Sequence, residues 1–341
     1  MTTASPASSA STGQPQDITL QRLRQLVSED LERVDAMVTE LVKSHVRLIP
    51  DISLHTLLSG GKRLRPILTL ATAAMCGYQG SAHIALATSV EFIHTATLLH
   101  DDVVDKSSLR RGKSTANDVW GNKESILVGD FLLGRAFSLM GEAQSLNVYR
   151  ILSSAAMVIS EGEVMQLEIE GNLAIDRAAY IGVVAAKAAE LFAAACEVGG
   201  VIAQKDTKST DALRAYGYNL GIAFQIVDDA LDYSARDALF GKHVGDDFKD
   251  AKITLPVLLA YEQADGKQKA FWDRTIGMRQ QEHTDFNMAV QLISQHRGVE
   301  RSMVVAQDYL DKAGSALSLF QDSPIKDALL GVLMFVKERG Y

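Results

Sequence analysis

Between Thr95 and Ser114 the chain reads TATLLHDDVVDKSSLRRGKS, with Asp101, Asp102 and Asp105 inside five residues and Arg110 and Arg111 just beyond. Residues four apart on a helix share a face, so Asp101 and Asp105 point the same way with Asp102 beside them. The spacing returns downstream in FQIVDDALDY as Asp228, Asp229 and Asp232, again after an apolar run. One such cluster is usually a solvated helix face. Two, each closing an apolar helix, need a counter-charge, because burying adjacent carboxylates unneutralised costs on the order of several kcal/mol. Oxygen-only ligation suits a hard cation, and Mg²⁺ keeps its waters and shares substrate phosphates. Two facing clusters would hold a group of such ions around a diphosphate. Arg110 and Arg111 could grip the remaining oxygens bidentately, or simply pair at the surface with the neighbouring aspartates.

Two further basic sets accompany the clusters. In SGGKRLRPIL, Lys62 and Arg65 are three apart and share a face after a double glycine, while Arg63 reads as solvent-facing. His94 stands seven residues before Asp101, two turns earlier on the same face. It is either a satisfied core histidine or a donor to phosphate. In FGKHVGDDFKDAKITLP, Lys242 and Lys252 bracket Asp246 and Asp247 in a glycine-punctuated loop, which taken alone is an ordinary charged loop.

The elements that must position these groups read as helices. The chain has 341 residues, 47% apolar and 22% charged, enough for one large domain with an ample core. A net charge of −8 leaves no basic footprint for nucleic acid. Cys76 and Cys196 lie in apolar stretches and read as buried thiols of a reducing, cytoplasmic compartment. Residues 1–17 lack a charged start and an apolar centre, which fits a disordered tail before a single domain over 18–341. No 18-residue window is apolar and uncharged; the nearest candidate, YIGVVAAKAAELFAAACEVGGVIA, is broken by Lys187, Glu190 and Glu197. No proline occurs between 67 and 255, which favours an all-helical middle. From Thr19 to His45, Leu20, Leu23, Val27, Leu31, Val34, Val38, Leu41 and Val42 recur at helical spacing. Strand-type alternation is absent. Gly60–Gly61, Gly77, Gly80, Gly112 and Gly199–Gly200 read as helix ends, and the polar stretch after about 262 reads as peripheral.

As a set, GGKRLRP, EFIHTATLLHDDVVDKSSLRRG, FQIVDDALDY and GKHVGDDFKDAKITLP resemble the trans-isoprenyl diphosphate synthases in order and spacing, over roughly residues 20 to 340. The resemblance implies an all-α, isoprenoid-synthase-type helical bundle around a deep central cavity, usually a homodimer. It implies Mg²⁺, about three ions per active site, held by Asp101, Asp102, Asp105, Asp228, Asp229 and Asp232. Lys62, Arg65, His94 and Arg111 match positions that bind isopentenyl diphosphate, and Arg110 matches one that binds the allylic diphosphate. Lys187, Gln225, Lys242 and Lys252 match further diphosphate positions. The family commonly has Lys-Thr where this chain has Lys187–Ala188, which removes one hydroxyl near the allylic substrate.

The chemistry expected is ionisation of an allylic diphosphate, attack on the cation by isopentenyl diphosphate, and proton loss to the released diphosphate. Clamped ions would stabilise the leaving group, and an apolar wall would keep water from the cation. Product length should follow the depth of that wall. Ala96 and Thr97, five and four residues before Asp101, are small where short-chain members carry a bulky aromatic. This implies a long-chain product of about eight to ten isoprene units, such as a quinone side chain. Phe137 and Met140 are candidates for the floor of the channel, or ordinary core. Release of so apolar a product implies peripheral membrane contact. The competing readings are a terpene cyclase, a head-to-head synthase, a shorter-chain synthase, and a non-catalytic partner subunit. A cyclase needs only one diphosphate site, and partner subunits generally lose aspartates.

Overall fold

The computed structural model describes residues 15–234 and 245–339. Helices α1 (Pro15–Leu26), α2 (Ser28–Leu41), α3 (Leu48–Leu57) and α4 (Leu64–Met75) lead into α5 (Ala82–Val104). A two-stranded hairpin follows, β1 (Leu109–Arg110) and β2 (Lys113–Ser114), then α6 (Ala116–Trp120), α7 (Asn122–Glu142) and α8 (Leu146–Ile169). Next come α9 (Arg177–Val184), a π-helical turn (Ala185–Ala189), α10 (Glu190–Ile202) and α11 (Thr207–Leu231). The remainder is α12 (Asp246–Lys249), α13 (Leu255–Gln263), α14 (Gly266–Trp272), α15 (Asp285–Gln295), α16 (Gly298–Ala316) and α17 (Pro324–Arg339). All five described prolines (15, 50, 66, 256 and 324) stand within the first three residues of a helix, where no intrahelical N–H is needed.

The expected all-α class holds, with the hairpin as an addition. Its turn residues Arg111 and Gly112 have φ of 53° and 75°, the left-handed pair of a tight hairpin turn. The periodic run from Thr19 to His45 is two helices broken at Val27, yet Leu20, Leu23, Val27, Leu31, Val34, Val38 and Val42 all stay buried. The break leaves the apolar stripe continuous. Helix α1 begins at Pro15, slightly before the expected start at 18.

Two helices organise the bundle. Helix α5 packs along α7, with α2, α4 and α10 on its other sides. By length and composition it could cross a membrane, but most of it is buried inside the protein. Helix α11 packs between α10 and α16. The approach of α10 to α11 depends on the absence of side chains. A Cβ at Gly217 would overlap the Phe192 carbonyl oxygen, and one at Gly221 would lie 2.6 Å from the Ala189 Cα. Gly199 and Gly200 also lie inside α10 rather than at its end, Gly199 abutting Thr72 of α4. Residues after 262 are less peripheral than their polarity suggests: Trp272, Ile276, Ala289 and Ile293 form a second, smaller core with Tyr233 and Phe248.

Replacing Gly217 by alanine would raise helix propensity by about 1 kcal/mol on an exposed helix. Here the backbone contact should dominate, and we expect Gly217→Ala to lower stability by about 1–3 kcal/mol, read from the urea midpoint. A stabilised variant would show that the two helices have room to spare.

Candidate active site

Helices α5 and α11 both end in aspartates. Asp101 and Asp102 lie in the last turn of α5 and Asp105 caps it; Asp228 and Asp229 lie in the last turn of α11 and Asp232 caps it. A helix C-terminus carries negative partial charge, so these ends are the least favourable places for carboxylates. The two ends open on one cavity of about 310 Å³, lined by Asp101 and Asp105 from the first cluster and Asp229 from the second. Arg65, His94, Arg110, Lys187, Gln225 and Lys252 share its wall. Lys252 Nζ, 3.1 Å from Asp105 Oδ2, ties the segment after α11 to the end of α5.

The six aspartates are not equivalent. Asp102 is buried and accepts from both Nε and Nη2 of Arg110 at 2.8 Å. Asp229 accepts from Tyr180 Oη at 2.6 Å on one oxygen and from Gln225 Nε2 at 2.7 Å on the other. Asp232 accepts from the backbone N–H groups of Gly245, Asp246 and Asp247. Asp228 pairs with Arg339 at 2.6 Å. The Asp101 carboxylate makes no hydrogen bond or ion pair among the described residues. Burial, with Glu163 and Asp105 adding to it, raises its pKa to about 7 against the pull of Lys187 and Arg110. Burial likewise lifts Asp229 to about 6 despite Tyr180 and Gln225. Asp247 is pushed well above the carboxylate range by burial, then by Asp229 and Asp232.

The cations are held with comparable care. Lys187 sits on the π-helical turn, whose extra residue re-aims the side chain into the cavity. Its Nζ pairs with Glu163 and donates to Gln166, each at 2.7 Å. Burial works against the charge of Lys252, but Asp105, Asp247 and Asp250 outweigh it and raise its pKa. Burial and then the nearby arginines keep His94 neutral, well below its ordinary pKa. Its Nε2, 3.1 Å from Arg65 Nη1, therefore accepts, which leaves the proton on Nδ1. Arg65 is lowered to about 10 by burial and by Arg111, partly offset by Glu91 and Asp228. Gly61 makes room for Arg111: a Cβ there would come within 2.6 Å of its Nη1.

Several expectations need correction. Thr97 lines the cavity, but Ala96 is fully buried in the main core and outside the wall. The lining positions 94, 97, 98, 101 and 105 form one helical stripe, and residue 96 lies about 100° away from 97. Met140 is likewise core, and Phe137 is 36% exposed on the outer side of α7, so neither closes the cavity. Arg63 does not face water; it pairs with buried Glu91 at 2.6 Å. Asp102, Asp228, Asp232, Lys62 and Arg111 surround the cavity rather than line it. Lys242 lies outside the described residues. Unforeseen from sequence were Glu91, Glu163, Gln166, Tyr180, Asp247 and Arg339. Glu91, alone in an apolar helix, and the Glu163–Gln166 pair three apart were visible signals; Tyr180 and Arg339 offered none.

Residues 46–293 match the sequence profile of the polyprenyl synthetase family. Octaprenyl diphosphate synthase of Escherichia coli K12 is 39% identical over 94% of this chain and 99% of its own length. The crystal structure of a decaprenyl diphosphate synthase from Rhodobacter capsulatus superposes with a TM-score of 0.91 at 45% identity, covering 94% of this chain and 99% of that one. A polyprenyl synthase from Caulobacter crescentus CB15, solved with calcium and isoprenyl diphosphate, gives 0.90 at 46% identity over 93% and 97%.

The raised carboxylates have a signed consequence for the metal-free protein. A folded pKa of about 7 at Asp101 against about 3.9 when unfolded means the folded state binds the extra proton between those values. Stability from this group is full at low pH and is lost as pH rises toward 7. Asp101→Asn should therefore raise the thermal midpoint at pH 7.5, and the gain should vanish near pH 4. A gain that is the same at both pH values would refute the assignment.

Proposed function

We infer function from one premise: the chain belongs to the polyprenyl synthetase family. It is a trans-prenyltransferase that condenses isopentenyl diphosphate with an allylic diphosphate and produces a long-chain polyprenyl diphosphate, the product class named for its octaprenyl and decaprenyl relatives. The observation that carries the reading at the level of the site is the single cavity onto which both aspartate helices open, with Lys187, Lys252, Arg65 and His94 in its wall. A length of about eight to ten isoprene units, and use as a quinone side chain, follow by analogy.

The donor set suits Mg²⁺. Asp101 is uncommitted and Asp105 and Asp228 are each held in one ion pair, so these three would hold the ions, with Asp102, Asp229 and Asp232 keeping the ends of the helices in place. Among the described residues no three acidic or histidine side chains converge tightly enough to cage an ion, which accords with a metal that takes one or two carboxylates and completes its shell from water and substrate phosphates. Bound there, such ions would stabilise charge developing on the departing diphosphate. Lys187, Lys252 and Arg110 would orient the allylic diphosphate, with Gln225 steadying Asp229. Lys62, Arg65, His94 and Arg111 would hold isopentenyl diphosphate; His94 fixes the fork of Arg65 and keeps one N–H to donate. Thr97, Leu98, Ile159, Val183 and Val184 form the apolar wall that excludes water.

A homodimer is supported by the outer faces of α7 and α8, where Leu127, Phe137, Leu146, Tyr149 and Met157 are exposed. Product release would bring the protein into passing contact with a membrane surface.

Purified chain supplied with Mg²⁺, isopentenyl diphosphate and an allylic primer should yield products whose dephosphorylated masses peak at about eight to ten units; absence of turnover would end the reading. Thr97→Phe, which fills the cavity stripe, should shift that peak to about three or four units, whereas an unchanged ladder would dissociate Thr97 from chain length. Phe137→Glu should convert the dimer to monomer in light scattering after size exclusion, and a persistent dimer would place the interface elsewhere.

A further inference from the structure

Helix α9 runs without a break into the π-helical turn and on into α10, so Tyr180, Lys187, Ala189 and Phe192 ride on one rod. That rod meets α11 in a constant antiparallel register: Phe192 against Gly217, Ala189 against Gly221, and Tyr180 against Asp229. The first two contacts are backbone resting on glycine, and dispersion contacts of this kind carry no direction. The third does. The buried Tyr180 hydroxyl donates to Asp229 Oδ2 at 2.6 Å, a length typical of a charge-assisted bond. It is also the tie nearest the chemistry. Tyr180 and Asp229 both line the cavity, and Lys187 follows Tyr180 by seven residues, about 10 Å along the axis. Asp229 differs from its neighbours in what holds it. Asp102, Asp105 and Asp228 each rest on a cation, whereas the side chains that donate to Asp229 among the described residues, Tyr180 and Gln225, are neutral. Gln225 stands four residues earlier on the same helix and so cannot fix α11 against another element. Tyr180 reaches Asp229 from outside, and the backbone N–H of Leu255, the first residue of α13, acts on the same phenol.

We propose that Tyr180 is a positioning residue for the reaction, acting through Asp229 to hold the acid end of α11 in register with Lys187, so that the acids and the ammonium group can grip one metal–diphosphate. Without the hydroxyl the two elements keep their glycine contacts and stay packed, but the cavity end loses its pin. Partners behind a metal site that orient its acids are worth about ten- to a hundred-fold in metal affinity or activity. The inference rests on the prenyltransferase reading for what the cavity holds, but its main readout is ligand binding rather than turnover.

The whole protein is heated with Mg²⁺ and inorganic pyrophosphate, and the rise of its thermal midpoint is followed against ligand concentration. Tyr180→Phe should need about ten-fold more ligand for the same rise. Tyr216→Phe is the control. Tyr216 is also a buried phenol of this rod-and-helix core, and its bond to the Leu329 carbonyl at 2.7 Å ties α11 to α17 outside the cavity wall. Its loss should lower the ligand-free midpoint about as much and leave the ligand curve unchanged. In an Asp229→Ala background, Tyr180→Phe should add less than about two-fold, because the group it acts through is gone. In turnover, Tyr180→Phe should lower kcat and leave KM for isopentenyl diphosphate in place, since Lys62 and Arg65 are untouched. Circular dichroism confirms folding of each variant. No rise in wild type, the same shift of the ligand curve in Tyr180→Phe and Tyr216→Phe, or a ten-fold effect that persists without Asp229 would overturn the proposal. A wild type that binds the ligand and yields no product would instead count against the prenyltransferase reading.

Discussion

Everything in this molecule turns on two helices that end in carboxylates and open on the same cavity. A helix C-terminus already concentrates negative partial charge, worth about 0.3–1 kcal/mol against each nearby acid at an exposed end, and burial magnifies the penalty. Here α5 and α11 each present three aspartates at that end, and Glu163 and Asp247 add to the field. Such an arrangement is stable only with cations close by. The surrounding fold reads as a set of devices for supplying them at fixed positions.

Each device uses a different piece of backbone chemistry. The hairpin places Arg110 on a strand against Asp102 and puts Arg111 at a left-handed turn position, a conformation that costs a non-glycine residue about 1–3 kcal/mol. The π-helical turn points Lys187 toward Glu163 and Gln166. Ala251, with φ of 54° beside the cavity, turns the chain so that Lys252 reaches back to Asp105. The bare faces at Gly217 and Gly221 bring the π-helical turn and α10 against α11. Strain and lost side chains are concentrated where cations must meet acids.

The sequence disclosed the aspartate clusters because their spacing is local: one turn of helix decides which side chains share a face. The same reasoning missed by one residue at Ala96, where a step of about 100° separates cavity from core. Phe137 was misread because α7 is apolar both toward the core and outward, so periodicity carries no orientation. Partnerships between distant segments were out of reach. Tyr180–Asp229 and Arg339–Asp228 join residues that only the packing of α9, α11 and α17 makes neighbours. Nor could spacing reveal which aspartates are already satisfied by their surroundings and which are left open.

That division bears on how a charged ligand enters. Arg110 rests on Asp102, Lys252 on Asp105 and Lys187 on Glu163, so most of the cations that face the cavity are stored in ion pairs, as is Arg339 on Asp228 behind it. Stripping one partner from a fully buried pair costs about 3–5 kcal/mol, and less from these partly exposed ones, which would still disfavour any ligand that removed a cation without replacing it. A metal-bound diphosphate would replace both halves at once, since it carries a cation for the acid and anionic oxygens for the base. A neutral alcohol offers neither replacement, and a metal-free monophosphate offers one. Selectivity for the metal–diphosphate pair can therefore arise from the resting ion pairs themselves, before any part of the hydrocarbon is sensed. Asp101 makes no such pair; burial raises its pKa to about 7, so a metal held there would displace a proton rather than a cation.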